Sequence, residues 1–264
     1  MGSDYTTIAF STEGPILRLT LDRPDRRNPI GPETCGELVH ALGRAVADQA
    51  VRVVILTGAG AVFSAGGDLS MMAGGTRTPS GQDAPAPRAS LVELFGAMHE
   101  LGKPIIAMVN GHALAGGLGL VLASDLAIAS DQATFGTTEI RVGLWPMMVS
   151  AELGRSIGRK QALDLMLTGR RIDAAEALAI GLVNRVVAAD SLEAETMALA
   201  GELAGLSPAT ISLGLRSFYR SQEMELGAAL RFLEGELGKI LALEDAREGL
   251  AAFFQKRPPV WKGR

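Results

Sequence analysis

Ile106-Ala107-Met108-Val109-Asn110-Gly111-His112-Ala113-Leu114-Ala115-Gly116-Gly117-Leu118-Gly119-Leu120 runs from a short apolar segment into a helical pattern through a glycine-rich junction. Pro104 before it and Asn110-Gly111 inside it bound Pro104 to Val109 as a buried strand. Glycine permits positive φ and lets a ligand approach the backbone closely. An N–H left free at such a turn, or at a helix N-terminus, meets developing negative charge. A second junction lies upstream, where Val54-Ile55-Leu56 is followed by Phe63-Ser64-Ala65-Gly66-Gly67-Asp68-Leu69. If the two strands are parallel neighbours, one N–H group from each junction can be aimed at one oxygen. Read singly, each junction serves equally as a tight turn or a helix-packing site.

The segments around these junctions alternate strand and helix. Ile16 to Leu21 alternates apolar and polar residues, as a half-buried strand does, and Asp22-Arg23-Pro24-Asp25 ends it. Pro32 to Val46 has helical spacing with Leu38, Leu42 and Val46 on one stripe. Val51 to Leu56 and Leu126 to Ala129 read as further strands. Strand–helix–strand alternation implies parallel strands, crossovers and an α/β architecture. Residues 73–88, rich in Gly, Pro, Ser and Thr, read as a loop that serves either as a lid or as a plain surface insertion. From Met147 the pattern turns helical: Gln161–Leu167, Asp173–Ile180, Ser191–Leu206, Pro208–Arg220 and Glu223–Phe254. The expected organisation is a core over residues 1–200 and a helical oligomerisation region over 201–264.

Composition narrows the function classes. Of 264 residues 47% are apolar, enough for a sizeable core. The net charge of −4 gives no general attraction to nucleic acid or to an anionic membrane. The single cysteine, Cys35, forms no internal disulfide, which fits a reducing compartment. His40, His99 and His112 lack metal-ligand spacing, so no metal site is expected. The N-terminus lacks signal-peptide character and the apolar runs are too short to span a bilayer, so the expected location is the cytoplasm. Gly117-Leu118-Gly119 lacks the remaining features of a dinucleotide fingerprint, and no Gly-Lys-Ser or Gly-Lys-Thr occurs. Ser64 is outside a nucleophile elbow, although His112 could act as its base in a serine hydrolase.

Further segments join the junctions in a fixed order. Leu21-Asp22-Arg23-Pro24 and Asn28 precede them. Phe135-Gly136-Thr137-Thr138-Glu139-Ile140-Arg141-Val142-Gly143-Leu144, Leu167-Thr168-Gly169-Arg170-Arg171-Ile172, Ala179-Ile180-Gly181-Leu182-Val183 and Lys256-Arg257-Pro258 follow. The ordered set covers essentially the whole chain and resembles the enoyl-CoA hydratase/isomerase (crotonase) superfamily. The resemblance implies a crotonase-like α/β fold of repeated ββα units, with C-terminal helices that assemble a homotrimer or hexamer. It implies an acyl-CoA thioester substrate, coenzyme A being part of the substrate and no separate cofactor being used. Gly67 and Gly116 then supply the oxyanion hole, whose donors contribute roughly 3–4 kcal/mol each.

The resemblance also marks a departure. Similar hydratases carry two glutamates, one at the position of Glu139 and one at the position of Gly119. Only the first is present. Water addition uses one carboxylate to activate water and a carboxyl group to deliver the α-proton, whereas double-bond migration needs a single shuttle. Glu139 is therefore the candidate acid/base, its other reading being an acid favoured by a helix N-terminus. Gly119 leaves space for water, another side chain or a bulky acyl group. The resemblance places Arg26, Arg27, Ala65, Asp68, Leu69, Phe253 and Lys256 near coenzyme A, and Ser70 where many relatives have lysine. Asp68 has a second reading as a cap. Trp145, with Met147 and Met148, lines an acyl pocket or belongs to the core. The expected function is enoyl-CoA isomerisation or hydration; the alternatives are a non-hydrating acyl-CoA-binding partner and the serine hydrolase.

Overall fold

A computed structural model describes residues 5–68 and 88–264. Along the chain come β1 (Ile8–Glu13), β2 (Ile16–Leu21), α1 (Pro32–Ala47), β3 (Val53–Gly58), α2 (Leu91–Glu100), β4 (Ile105–Val109), β5 (Ala113–Leu114) and α3 (Gly116–Leu122). They are followed by β6 (Leu126–Ser130), β7 (Thr134–Gly136), α4 (Met147–Ser156), α5 (Arg159–Thr168), β8 (Ile172–Asp173), α6 (Ala174–Ala179) and β9 (Arg185–Val187). The chain ends in α7 (Leu192–Ala204), α8 (Pro208–Ser221), α9 (Leu226–Ala242) and α10 (Glu244–Gln255). β1–β2–α1, β4–β5–α3 and β6–β7–α4 are the expected ββα units.

The larger sheet has the order β1-β2-β3-β4-β6-β9, parallel throughout except for the β1–β2 hairpin. β3 is buried along its whole length because both sheet faces are covered. Val54 and Leu56 meet Leu38 and Leu42 of α1 and Leu94 and Met98 of α2 in one core. Val53 and Ile55 join Leu199 and Ala200 of α7 in a second core on the opposite face. Residue 200 thus lies inside a helix packed on the sheet. On β2, Arg18 turns towards that face and pairs with Glu193 of α7. The smaller sheet, β5-β7-β8, stands beside the C-terminal end of β4. The Ser64–Ala113 bridge ties the first glycine junction to it, and the Ile30–Gly67 bridge ties that junction to the segment before α1.

Two expectations change. Val46 is 43% exposed, and the buried stripe of α1 is instead completed by Ala41 and Ala45. Glu223–Phe254 is not one helix, because Leu243 adopts extended backbone (φ −63°, ψ 145°) between α9 and α10. No single helix among the described residues is long and apolar enough to cross a membrane.

Candidate active site

The first junction is built around Asn28, a buried residue in the left-handed region at φ 52°. Its Nδ2 donates to the carbonyls of Ala59, Val62 and Phe63, and its Oδ1 accepts from Arg23 N–H. Ser64 Oγ donates to Asn28 O at 2.7 Å and accepts from Gly66 N–H. The parallel bridge between Ile30 and Gly67 uses Gly66 O and Asp68 N–H, so the Gly67 N–H plays no part in it. Gly66 has φ 99°, and a Cβ there would lie 2.6 Å from Ala115 Cβ.

Ala115 brings the second junction into place. Its φ of 50° and ψ of −124° are unfavourable for a residue with a Cβ, at about 1–3 kcal/mol. Its N–H donates to Gly136 O at 2.8 Å, which holds it against β7. Gly116 then opens α3, where a first-turn N–H has no intrahelical acceptor. A Cβ on Gly116 would lie 3.8 Å from Gly67 N, so the two junctions meet at these glycines. A Cβ on Gly117 would strike Ser64 Cβ at 2.6 Å; this glycine is required for junction packing.

Glu139 sits in a 3-10 turn, Thr138–Val142, entered directly from β7. β7 pairs with β5, and Gly136 bonds Ala115, so the turn follows the strand that holds the second junction. Its far side is fixed by Gly169, where a Cβ would lie 2.7 Å from Ile140 Cγ2, and by Arg141 Nε donating to Gly169 O. Glu139 Oε2 is buried without a hydrogen-bond partner, as is the neighbouring Thr137 Oγ1. Burial raises the carboxyl pKa above its ordinary value, partly offset by the residue's own backbone N–H. A half-buried carboxylate with one unpartnered oxygen on a fixed turn is equipped to exchange a proton with a ligand.

Gly119 is not an opening. A Cβ there would lie 2.7 Å from Phe95 Cζ and 3.1 Å from Val149 Cγ2, so side chains from α2 and α4 already fill its surroundings. Sequence reading missed Phe95, whose pattern in α2 is that of any core aromatic. The serine-hydrolase reading is overturned: Ser64 Oγ is engaged with Asn28 O, while His112 Nδ1 pairs with Thr134 Oγ1 at 2.7 Å. Cys35 is no nucleophile either, since burial pushes its thiol up to about 12. Among the described residues no cluster of His, Cys, Asp or Glu could hold a metal ion.

The remaining candidates divide. Arg26 and Arg27 are exposed beside the first junction, and Arg27 O accepts from Ala65 N–H. Asp68 is buried and pairs with Arg26 Nη2 at 3.2 Å; its reading as a cap falls on the residues after it, which lie outside the described residues. Leu69, Ser70 and residues 73–87 lie outside the described residues. Trp145 is half-buried against the main core, whereas Met147 and Met148 are 67% and 42% exposed. Phe253 and Lys256 are exposed at the end of α10, which packs on α8 and α9 rather than on the hole.

The α/β scaffold thus brings two strand-to-helix glycine junctions together at Gly67 and Gly116, with Glu139 on the turn that follows β7. The comparisons with known proteins are specific: residues 11–264 match the enoyl-CoA hydratase/isomerase family, and the chain belongs to that family. It is 39% identical over 247 residues to a Thermus thermophilus protein provisionally named an enoyl-CoA hydratase, covering 94% of this chain and 97% of the other. It is 38% identical over 265 residues to carnitinyl-CoA dehydratase of Citrobacter koseri, covering 98% and 99%. The crystal structure of an enoyl-CoA hydratase subunit from Geobacillus kaustophilus superposes with a TM-score of 0.89 at 35% identity, covering 99% and 100%. The fold is the crotonase fold, and the chain is an acyl-CoA-processing enzyme of this family.

Proposed function

We infer that the enzyme migrates the double bond of an enoyl-CoA thioester through a dienolate. The observation that carries this reading is the buried, unpartnered Oε2 of Glu139 on a turn held beside Gly116, with no second carboxylate at Gly119. Glu139 takes the α-proton of a 3-enoyl thioester, and the released electron pair spreads over the diene and the thioester oxygen. Gly67 and Gly116 N–H groups hold that oxygen. Glu139 returns the proton to the γ-carbon, giving the 2-enoyl isomer with no change in mass. Hydration is the second reading, favoured by the names its relatives carry. A non-hydrating acyl-CoA-binding role is the third.

Coenzyme A enters as part of the substrate, with no separate cofactor. Arg26 and Arg27 meet its phosphates, because guanidinium groups suit phosphate oxygens. Asp68 holds Arg26 for that contact, and the backbone at Ala65 and Leu69 borders the adenine and pantetheine. Trp145 bounds the acyl group. Phe253 and Lys256 reach coenzyme A from a neighbouring copy in a homotrimer or hexamer, since their own helix faces away from the hole. The setting is cytoplasmic, consistent with one buried free thiol.

The deciding experiment incubates the protein with 2-enoyl and 3-enoyl thioesters and identifies products by mass and NMR. Isomerisation interconverts the two at constant mass; a product heavier by one water establishes hydration instead. In deuterated water, binding without α-proton exchange would leave only the binding role. Glu139→Gln is expected to lower exchange by about 10²–10⁴-fold, and unchanged exchange would reject Glu139 as the shuttle.

A further inference from the structure

The absence of a carboxylate at Gly119 is matched by a side chain that takes its place. Two side chains of α2 approach the glycines of α3. A Cβ on Gly116 would touch Leu91 Cδ1 at 3.7 Å, an ordinary contact, so Leu91 borders the hole. Phe95 stands four residues on, one helical turn along the same face. Its ring occupies the space over Gly119 so closely that even a methyl group there would lie 2.7 Å from Cζ. Val149 of α4 closes the other side at 3.1 Å. Phe95 is 6% exposed and belongs to the main core, so its ring has little freedom to withdraw. The surroundings are apolar, and an apolar filled space holds no ordered water.

We propose that Phe95, backed by Val149, is a specificity-determining residue: it fills the seat of a second carboxylate and keeps water from the acyl β-carbon. This rests on the reading of Gly67, Gly116 and Glu139 as the reacting centre. Water addition would require the oxygen of water to bond to the β-carbon while its proton passes to a base and the α-carbon receives a proton from Glu139. Phe95 denies both the base and the water a place, and leaves proton transfer between carbons as the open course.

The test compares wild type, Phe95→Ala, Gly119→Glu and the double variant on a 2-enoyl thioester, reading water addition by product mass and α-proton exchange by NMR. The double variant is expected to add water at least about 100-fold faster than Gly119→Glu alone. Equal water addition by Gly119→Glu and the double variant would overturn the proposal, since the seat would then be open. A double variant that exchanges α-protons but adds no water would overturn it as well. Should a variant fold poorly, thermal melting decides. The Tm loss caused by Gly119→Ala should shrink in a Phe95→Ala background, and an equal loss in both backgrounds refutes the packing. Failure of the Glu139 reading is distinguishable: it shows as unchanged exchange in Glu139→Gln, while the melting comparison still reports on Phe95.

Discussion

Burial of the Glu139 carboxyl group, with Oε2 given no donor, favours its protonated form. Because its folded-state pKa is raised, its contribution to stability is fully present below the pKa of an unfolded glutamate, about 4.3. That contribution is lost as pH rises through the higher folded value. At neutral pH the charged carboxylate is therefore a destabilising feature, as expected of a group kept for the proposed proton transfer. Glu139→Gln is expected to melt at a higher temperature than wild type at neutral pH, with the difference closing as the pH falls below the ordinary carboxylate range. The same shift sets the acid limb of activity. A base must be deprotonated, so kcat/KM is expected to fall on acidification with an apparent pKa above the ordinary glutamate value. A pH profile whose acid limb lies at or below that value would contradict the assignment.

At the scale of elements, the hole depends on how loops are pinned rather than on the strands alone. Asn28 supplies three donated bonds to the carbonyls that shape the first junction, from a backbone conformation asparagine tolerates well. Asn28→Ala leaves buried carbonyls without donors and is expected to cost about 3 kcal/mol in denaturant unfolding. Gly169 does the corresponding work behind Glu139. At φ 59°, with Ile140 Cγ2 2.7 Å from its Cβ direction, Gly169→Ala is expected to displace the Glu139 turn and lower kcat more than it lowers Tm. These elements also show what could be read in the sequence. Ile16–Leu21, Ile105–Val109 and the two junctions were legible because burial on one or both strand faces writes itself into apolar patterning. β5, β7 and β8, two or three residues each, are too short to carry a period and exist through pairing with distant segments. The strain at Ala115 was likewise invisible, since alanine gives no sign of positive φ.

At the scale of the molecule, two cores bury many of the large apolar residues described before position 200, but few of those on the last three helices. Gly67, Gly116 and Glu139 could be singled out in the sequence because the family resemblance marks their motifs. Phe95 could not, since nothing in α2 distinguishes an aromatic that faces Gly119 from one that only fills a core. The helices after α7 were legible as helices, while much of their apolar surface is left exposed in the single chain. Leu226, Leu230, Leu237 and Leu241 of α9 are 76%, 60%, 54% and 57% exposed at spacings that share a helical face, and Phe253 and Phe254 of α10 are 76% and 78% exposed. An apolar face of this kind is the mark of an association surface. A closed assembly would cover it and carry Phe253 and Lys256 towards another copy's Arg26 and Arg27. Leu230→Glu combined with Leu237→Glu places two charges on that face without touching Gly67, Gly116 or Glu139. Light scattering is expected to give the mass of three or six copies for wild type and of one for the double variant. Thioester affinity should weaken together with assembly if a neighbouring copy completes the coenzyme A site. A wild-type protein that remains single, or a dissociated variant with unchanged affinity, would assign these helices no part in substrate binding.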